Sequence, residues 1–560
     1  MFSSWLYVDE NPFTMLEPLS VYEELKNLNG TGYFEELIKE YLIDNQHGTS
    51  IVLEPKKGLN LKEEKELSEE LGKYKASLSE EKIEKLIKDT KALKKYQEEP
   101  SLDSDLEKLP LLQVSDIKKE IEPFTNELRD IDETKVIYHN IETNGIAYIK
   151  LLFDSGCLSK EDISYASLLK YVLGLMDTNK HSYEDLSNEI NSNCGGIGFS
   201  LKYFSNLKSN DRIVFSAGAK GLYSQMSFLF EAITEIITGT DMSDDQRLYE
   251  IIAEIKSKLQ MQLQSAGHST ASTRAMAYFS NGAGFTDYTD GLGFYKFIKD
   301  IEENFEDRKN DVRTKLKNLL DKIFNKNNFF VDCTATEEGY KKLEVLVKKF
   351  KNVLSDSKYD CEQTSFILGK KNEGFKMASQ VQYVARCGNF KDKGLEYSGH
   401  LKVLKNIMSY EYLWNQVRVL GGAYGCMNNF KRLGDAYFVS YRDPNLVKTN
   451  EVYENAAAFV KNAQFDERTI TKFIIGAISD MDTPLTPAAR GTRSFSAYLS
   501  AITEEMLQKE RDEVLTTTLE DIKDMSKYIE AFMQDDYICV LGNENLIEEN
   551  KDMFVNIESI

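Results

Sequence analysis

One order of secondary-structure signals occurs twice along this chain of 560 residues, and its final part occurs three times. The front of the repeat is a strand pattern, a glycine and a helix pattern, with the glycines at Gly156 and Gly388. The back is an amphipathic helix followed by a short strand, at residues 34–53, 316–332 and 522–540. The earliest copy has the back of the repeat but no front before it. Its strand would need neighbouring strands to be stable, and nothing upstream supplies them. We therefore expect the chain to be the back part of a larger protein.

The two complete copies predict an α+β fold with two homologous units, each a sheet covered by helices, because the signals lack the regularity of βαβ units. The segment between the earliest copy and the first complete copy is rich in Lys and Glu, and Ser77 with Glu80 fits a capping box between two helices. The predicted domains are the end of a truncated α/β domain, a charged helical hairpin linker and two α+β units, at residues 1–55, 56–134, 135–360 and 361–560.

Charge and cysteine content limit the classes of partner and the compartment. The chain has 91 Asp and Glu against 69 Lys and Arg, a net charge of -22, which argues against nucleic acid and anionic membranes as partners. The seven cysteines are odd in number and form no C-x-x-C pair, so we expect free thiols in a reducing compartment. Without a membrane-length apolar run or a signal-like start, the expected location is the cytoplasm.

The histidines do not have the spacing of a zinc hydrolase site, which usually needs two of them one helical turn apart. His139 and His181 each begin an H-x-x-E sequence, but Thr143 and Asp185 occupy the positions where a second histidine would complete it. Phosphate-loop, dinucleotide and nucleophile-elbow sequences are also missing. The sequence therefore predicts no metal site and no cofactor within this chain.

A glycine turn is the remaining candidate site, with Arg418 before it, Gly421 and Gly422 in it, and Tyr424 after it. Adjacent glycines allow a bound chain to approach the backbone closely, so this pair is a candidate for substrate binding. A guanidinium and a phenol can both donate hydrogen bonds to a carbonyl oxygen that is becoming an oxyanion, which makes Arg418 and Tyr424 candidate catalytic residues. The alternative is a purely structural Tyr/Arg pair, because such turns and paired arginines are common in folds.

The first complete unit contains a similar turn at Gly195 and Gly196. Aligning the two double glycines places Gly198 opposite Tyr424. The alignment predicts that both units share the scaffold of the turn, whereas the cation and the phenol belong to the second unit only.

Several stretches of the chain together resemble the C-terminal half of the presequence protease and falcilysin branch of the insulinase/pitrilysin zinc peptidases. The resemblance covers essentially the whole chain, with the matching stretches in the right order at residues 194–198, 265–268, 414–425, 441–445 and 477–484.

The resemblance implies two bowl-shaped halves that are joined by a helical hairpin and close around a peptide. The catalytic motif H-x-x-E-H and its zinc would lie in a missing N-terminal half, and the two complete units here would be the third and fourth domains. Arg418 and Tyr424 would reach the substrate backbone beside the metal, with the tyrosine supporting the tetrahedral intermediate.

The function that this resemblance implies is that of the C-terminal half of a zinc-dependent oligopeptidase, a metalloendopeptidase that encloses and degrades unstructured peptides. The chain would be inactive alone, and its partners would be the N-terminal half of the same enzyme and peptide substrates. The alternative is a non-catalytic scaffold or regulatory subunit with the same fold.

Overall fold

The computed structural model describes residues 2–7, 11–56, 58–99, 102–106, 108–357, 366 and 368–560. By its internal contacts the chain divides into two compact units, Met1–Leu109 and Pro110–Ile560. No helix among the described residues is long and apolar enough to cross a membrane.

The smaller unit is helical. Its helices are α1 (Phe2–Tyr7), α2 (Pro18–Leu28), α3 (Tyr33–Ile38, continued by a π-helix Lys39–Ile43), α4 (Leu59–Ser77), α5 (Glu80–Glu98) and α6 (Asp103–Leu106). The predicted capping box is displaced, because the N-cap of α5 is Ser79, whose hydroxyl accepts the Lys82 N–H at 3.4 Å. The predicted strand at residues 50–53 does not form, and Ile51, Val52 and Leu53 are exposed. A strand requires hydrogen-bonded neighbours, and the described part of this unit contains no other strand.

The larger unit contains two six-stranded sheets. The first sheet is built from β1 (Glu127–Ile131), β2 (Thr134–Asn140), β3 (Ile146–Asp154), β4 (Ile197–Phe204), β5 (Arg212–Leu222) and β6 (Phe329–Ala335). The second is built from β7 (Glu373–Met377), β8 (Tyr383–Asn389), β9 (Gly425–Phe430), β10 (Asp435–Tyr441), β11 (Tyr537–Asn543) and β12 (Asn556–Ser559).

The two sheets have the same topology, with strand orders β1-β2-β6-β3-β5-β4 and β12-β7-β11-β8-β10-β9. In each sheet the closing strand, β6 or β11, is parallel to one neighbour and antiparallel to the other. Only the outermost strands differ, since β1 is antiparallel to β2 whereas β12 is parallel to β7. These mixed sheets under helices confirm the predicted α+β class with two homologous units.

Helices follow the strands of each sheet. The first repeat has α7 (Lys160–Val172), α8 (Tyr183–Asn193), α9 (Met226–Gly239), α10 (Asp245–Ser265), α11 (Gly267–Met276), α12 (Asn281–Thr289), α13 (Leu292–Glu303), α14 (Phe305–Ile323) and α15 (Glu337–Lys351). The second has α16 (His400–Ile407), a π-helix (Met408–Val419), α17 (Val447–Glu454), α18 (Ala456–Lys461), α19 (Glu467–Met481), α20 (Pro487–Leu499), α21 (Glu504–Leu515), α22 (Leu519–Asp524), α23 (Ser526–Met533) and α24 (Glu544–Glu549).

Each repeat covers part of the other repeat's sheet with one of its own helices. Helix α11 packs on β8, β10 and β11 of the second sheet. Helix α20 packs on the first sheet, where Phe495 and Leu499 join a buried cluster with Leu152 and Phe330. The apolar core is therefore shared between the two repeats.

The first sheet begins before the predicted domain boundary at residue 134, because β1 starts at Glu127. The segment just before β1 runs along helices of the second repeat. The Thr125 N–H donates to the Ser494 hydroxyl at 3.1 Å, and the buried Arg511 donates through Nε to the Lys118 carbonyl at 3.0 Å. The end of the predicted linker therefore belongs structurally to the larger unit.

The second copy of the strand, glycine and helix order departs from the sequence pattern. Strand β8 starts at Tyr383 and contains Gly388, which the sequence places in a turn after the strand. A side chain at Gly388 would collide with the Phe532 carbonyl, so glycine is needed there for the close approach of α23. The helix that follows, α16, begins at His400.

The expectation of free thiols throughout is wrong at Cys157, which is disulfide-bonded. The free cysteines among the described residues are Cys194, Cys333, Cys387, Cys426 and Cys539. Three of them are buried in strands, and burial also raises the pKa of the Cys426 thiol to about 12. Cys361 lies outside the described residues.

Candidate functional site

The candidate glycine turn joins the π-helix Met408–Val419 to β9. Arg418 lies in the last turn of the helix, and Tyr424 directly precedes the strand. Gly422 has a φ of 81°, a left-handed conformation that glycine adopts without strain. Its N–H donates to the Arg418 carbonyl at 2.9 Å, which satisfies one of the carbonyls that a helix end leaves without a partner. The double glycine thus ends the helix and turns the chain back between Arg418 and Tyr424.

A buried polar group holds this turn in place. The Asn445 side-chain amide donates to the Gly421 carbonyl at 2.6 Å, and the Asn445 N–H donates to Asp443 at 2.9 Å. The Thr449 hydroxyl donates to the other oxygen of Asp443 at 2.6 Å. Burial raises the pKa of Asp443, and these hydrogen bonds oppose that rise. Because the buried Asp443 and Thr449 hold Asn445 in place, the turn has a defined geometry.

The side chains on the turn form a layer of aromatic rings and cations. The guanidinium carbon of Arg418 lies 4.0 Å from the Trp414 ring centroid and 5.5 Å from that of Tyr424. The Tyr424 ring meets the Tyr441 ring edge to face, with centroids 5.8 Å apart. Tyr424 is 64% exposed, and its hydroxyl has no hydrogen-bond partner in the described part of the chain. The structure therefore brings the two predicted catalytic residues together and leaves the phenol available to a ligand.

Arg442, which the sequence analysis did not single out, adds a second guanidinium to the site. It follows β10 with a φ of 48°, and its guanidinium carbon lies 5.5 Å from the Tyr441 ring centroid. Burial raises the pKa of Tyr383, and a hydrogen bond with Arg442 opposes that rise. Within the described ranges neither Arg418 nor Arg442 has a carboxylate at ion-pair distance. In a chain with a net charge of -22, one cation beside Tyr424 and a second beside Tyr441 leave donors for a ligand.

The base of the site comes from the first repeat. The His268 ring at the start of α11 meets the Tyr441 ring edge to face, with centroids 4.9 Å apart. Its Nδ1 is buried without a partner among the described residues, and burial lowers the pKa of the imidazole. His268 therefore supports the ring that supports Tyr424. No local signal could have revealed this, because His268 and Tyr441 are far apart in sequence.

An apolar surface lies next to the turn along the π-helix. Tyr410, Val419 and Leu420 are 63%, 61% and 60% exposed. Exposed apolar groups beside polar ones are typical of surfaces that contact a ligand or a partner. The site can therefore meet apolar side chains as well as polar backbone.

The corresponding turn of the first repeat lacks both functional side chains. The Gly195 N–H donates to the Lys220 carbonyl at 2.9 Å, as the Tyr424 N–H donates to the Tyr441 carbonyl at 3.0 Å. This pairing places Gly195 opposite Tyr424, so the alignment that put Gly198 there is wrong. The phenol is a feature of the second repeat, as the sequence predicts.

The described side chains do not fit a zinc ion, because no group of three His, Cys, Asp or Glu residues among them could hold a metal. His139 is fully buried and bonds through Nε2 to Asp332 at 2.8 Å. His181 bonds through Nδ1 to Glu235 at 2.8 Å. The histidines of the two H-x-x-E sequences thus serve as hydrogen-bonding groups.

Comparisons with known proteins show similarity to M16 peptidases along most of the chain. Residues 53–301 match the family described as associated with the M16 peptidases of subfamily C, and residues 372–542 match the "PreP C-terminal domain". The chain is 39% identical over 559 residues to "Protein HypA" of Clostridium perfringens, covering 100% of this chain and 57% of that protein. It is 30% identical over 540 residues to "Presequence protease 1, chloroplastic/mitochondrial" of Arabidopsis thaliana, covering 94% of this chain and 50% of that protein. The chain spans about half the length of these curated relatives.

Solved structures share the fold at low sequence identity. The crystal structure of pitrilysin has a TM-score of 0.51 and 14% identity, covering 75% of this chain and 43% of that one. The "peptidase M16 inactive domain" from Pseudomonas fluorescens has a TM-score of 0.51 and 13% identity, covering 75% of this chain and 98% of that one. Two homologous mixed sheets of this kind define a peptidase fold of the M16 type. The two family models and the presequence protease relatives support identification of the chain as the C-terminal half of a presequence-protease-type M16 peptidase.

Proposed function

We propose that this chain is the C-terminal half of a zinc-dependent oligopeptidase, in which it binds unstructured peptides and stabilises the oxyanion formed when they are cleaved. The observation that carries the proposal is the exposed Tyr424 phenol beside the Arg418 guanidinium on a turn with buried supports. Neither group is committed to a carboxylate within the described chain, so both can donate to a peptide. Similarity to presequence proteases supports the same substrate class.

The arrangement assigns a role to each side chain. Arg418 and Arg442 would donate hydrogen bonds to peptide carbonyls and hold the backbone against Gly421 and Gly422, which have no side chains to obstruct it. The Tyr424 hydroxyl would donate to the scissile carbonyl oxygen, and this bond strengthens as the oxygen gains negative charge. A zinc ion, held by the N-terminal half, would polarise the same carbonyl and activate water.

Exposed apolar residues of the smaller unit support an N-terminal half as the partner. Leu42, Ile43 and Leu53 are 74%, 72% and 91% exposed. Side chains of this kind gain about 1.5 to 3 kcal/mol each when they are fully buried. A partner that covers them and supplies strands to residues 50–53 would explain both their exposure and their strand pattern.

The proposal is tested by reconstitution. The purified chain, an N-terminal half that carries H-x-x-E-H, and their mixture are each incubated with zinc and an internally quenched unstructured peptide. We expect turnover only in the mixture. Turnover by this chain alone, with one zinc bound per chain, would contradict the proposal.

The alternative of a non-catalytic scaffold or regulatory subunit predicts a different result in the same assay. A scaffold would support activity equally well after Arg418 and Tyr424 are replaced.

The cytoplasmic location stays a prediction, and curated relatives include proteins named as chloroplastic or mitochondrial.

A further inference from the structure

A cavity of about 260 Å³ lies between the first sheet and the first turn of α20. It is far in sequence from the glycine turn that carries Tyr424. Its lining includes two lysines, Lys150 and Lys220, together with Asp332 and Thr492. With two lysines and one carboxylate, the lining of this cavity has an excess of positive charge, which favours a negatively charged ligand.

The carboxylate that lines the cavity, Asp332, already has a partner for each of its oxygens. Asp332 is buried, with one oxygen 2.8 Å from His139 Nε2 and the other 2.7 Å from Lys150 Nζ. Lys150 also donates to the Thr492 hydroxyl at 3.2 Å. An ammonium has three donors, so Lys150 keeps one donor for the cavity. Its side chain is 30% exposed, so a ligand can reach it.

Lys220 supplies a positive charge that no carboxylate in the described ranges balances at ion-pair distance. It is exposed and lies opposite Tyr148 in the register of β3 and β5, hence diagonal to Lys150 on the same face of the sheet. Diagonal neighbours of this kind have side chains about 7–8 Å apart. Both lysines therefore line the same cavity.

Glycines leave part of the cavity wall without side chains. Gly196 and Gly218 line it, and Gly218 lies opposite Lys150. A side chain on Gly196 would meet nothing within 4 Å. At Gly195, by contrast, a Cβ would lie 2.8 Å from Lys220 Cε. The Lys220 side chain can therefore pack along the turn only because residue 195 has no side chain.

Helix α20 adds a third positive element. It begins at Pro487 after the N-cap Thr486, has no acidic residue in its first turn, and contributes Ala488 to the cavity lining. Pro487 has no N–H and the Ala489 N–H donates to the Thr486 hydroxyl at 3.3 Å, so the Ala488 N–H is the donor left at this end, where the helix dipole favours an anion. Two ammonium groups and a helix N-terminus therefore line the cavity, and its carboxylate already has hydrogen-bond partners.

We propose that this cavity binds a carboxylate of a peptide. The inference rests on the proposed function, because a peptide bound at Tyr424 has to be held elsewhere along its length. The turn that carries Tyr424 in the second repeat is replaced in the first by the turn that supports Lys220. The two repeats would thus hold one peptide at two points, by its backbone in the second repeat and by a carboxylate in the first.

The test uses the full chain and two labelled peptides of the same neutral, unstructured sequence, one with a free C-terminal carboxylate and one with a C-terminal amide. Fluorescence anisotropy gives the Kd of each. We expect the free acid to bind about fivefold more tightly, the effect of one exposed ion pair. Lys220→Gln should abolish this preference, and Lys220→Arg should retain it.

Lys202→Gln is the matched control, because Lys202 is an exposed lysine on β4 outside the cavity. It should keep the preference for the free acid. Equal binding of acid and amide by the parent chain, or loss of the preference in Lys202→Gln, overturns the carboxylate site but leaves the proposed function standing. If neither peptide binds, both proposals are overturned.

Inorganic phosphate separates a peptide site from a general anion site. We expect phosphate to compete with the free-acid peptide and to leave the Kd of the amide unchanged. A chain that binds phosphate in a Lys220-dependent way but does not distinguish acid from amide would contain an anion site that peptides do not use, which also overturns the proposal.

Discussion

Tyr424 combines a packing role and a chemical role in different atoms, which allows the two to be separated. Its ring contacts Tyr441 and Arg418, whereas its hydroxyl is exposed and has no partner among the described residues. Replacement by phenylalanine keeps the ring contacts and removes only the donor. The substitution therefore tests the chemistry without disturbing the turn.

For Tyr424→Phe in the enzyme assembled from both halves, we predict a loss in kcat of about 10²-fold to 10³-fold, with KM changed far less. The reason is that the hydroxyl donates most strongly to the charge that develops in the transition state. Steady-state kinetics with an unstructured peptide measures both constants. Tyr249→Phe, at an exposed tyrosine on α10 outside the site, is the control and should keep the parent rate. A parent-like kcat for Tyr424→Phe would make the tyrosine a structural residue of the turn.

The two arginines should differ from Tyr424 in their kinetic effect. A guanidinium that holds the peptide backbone contributes before the reaction as well as during it, so Arg418→Ala should raise KM and lower kcat. Arg442→Ala should chiefly raise KM, by about tenfold, the effect of one charge-assisted hydrogen bond. An unchanged KM for Arg442→Ala, in a variant that still folds, would remove Arg442 from the site.

At the scale of elements, a buried ionic network attaches α11 to the second sheet. Arg274 on α11 donates to Glu373 on β7 at 2.7 Å and to Asp287 on α12 at 2.6 Å. The Tyr278 hydroxyl donates to Glu373 at 3.1 Å. Because α11 also carries His268, this attachment keeps the base of the candidate site aligned with the turn.

We predict that Glu373→Gln lowers the free energy of unfolding by about 3 kcal/mol at neutral pH, because it leaves Arg274 with an incomplete set of buried partners. Chemical denaturation measures this loss. Glu558→Gln, which removes a more exposed pair with Lys296, is the control and should cost less than about 1 kcal/mol. A loss of similar size in both variants would mean that burial of the network adds no stability.

The same carboxylate gives stability a defined pH dependence. Burial raises the pKa of Glu373, but the stronger combined effect of Arg274 and Tyr278 holds it below its ordinary value of 4.5. Because the folded-state pKa is lowered, the stability that ionised Glu373 contributes is fully present above pH 4.5. It is lost as the pH falls through the lower pKa of the folded state. The parent and Glu373→Gln should therefore differ in their free energy of unfolding at pH 7, and this difference should disappear in acid. A difference that persists in acid would assign the stabilisation to another group.

At the scale of the whole molecule, the exchange of α11 and α20 makes the two repeats mutually dependent. Residues 127–357 alone would expose the face of the first sheet that Phe495 and Leu499 cover. We predict that this fragment aggregates or binds a hydrophobic dye, whereas residues 110–560 unfold in one cooperative transition. Differential scanning calorimetry and dye fluorescence measure both. A soluble, cooperatively folded fragment 127–357 would show that the repeats are independent domains.

Much of the fold follows from local spacing. The closing strands β6 and β11 form where the apolar patterns predict them, because a buried strand needs only a short apolar run. The pattern at residues 50–53 is of the same kind but does not form a strand, since a strand also needs a neighbour that local sequence cannot supply. The place of Gly388 inside β8 was missed for a related reason, because the approach of α23 is a tertiary contact.

The candidate site divides in the same way. Arg418 and Tyr424 could be identified because they flank one turn. Arg442 and His268 could not, because they reach the site through strand pairing and through a helix of the other repeat.

The sequence by itself determined the repeat order, the α+β class and the turn that carries Arg418 and Tyr424, because each depends on residues within a few positions of one another. Only the tertiary structure decided the exchange of helices, the support of Tyr424 from the first repeat, and the cavity that joins Lys150 to Lys220. These features depend on strand register and on side chains hundreds of residues apart, whose contacts form only when both sheets share one core.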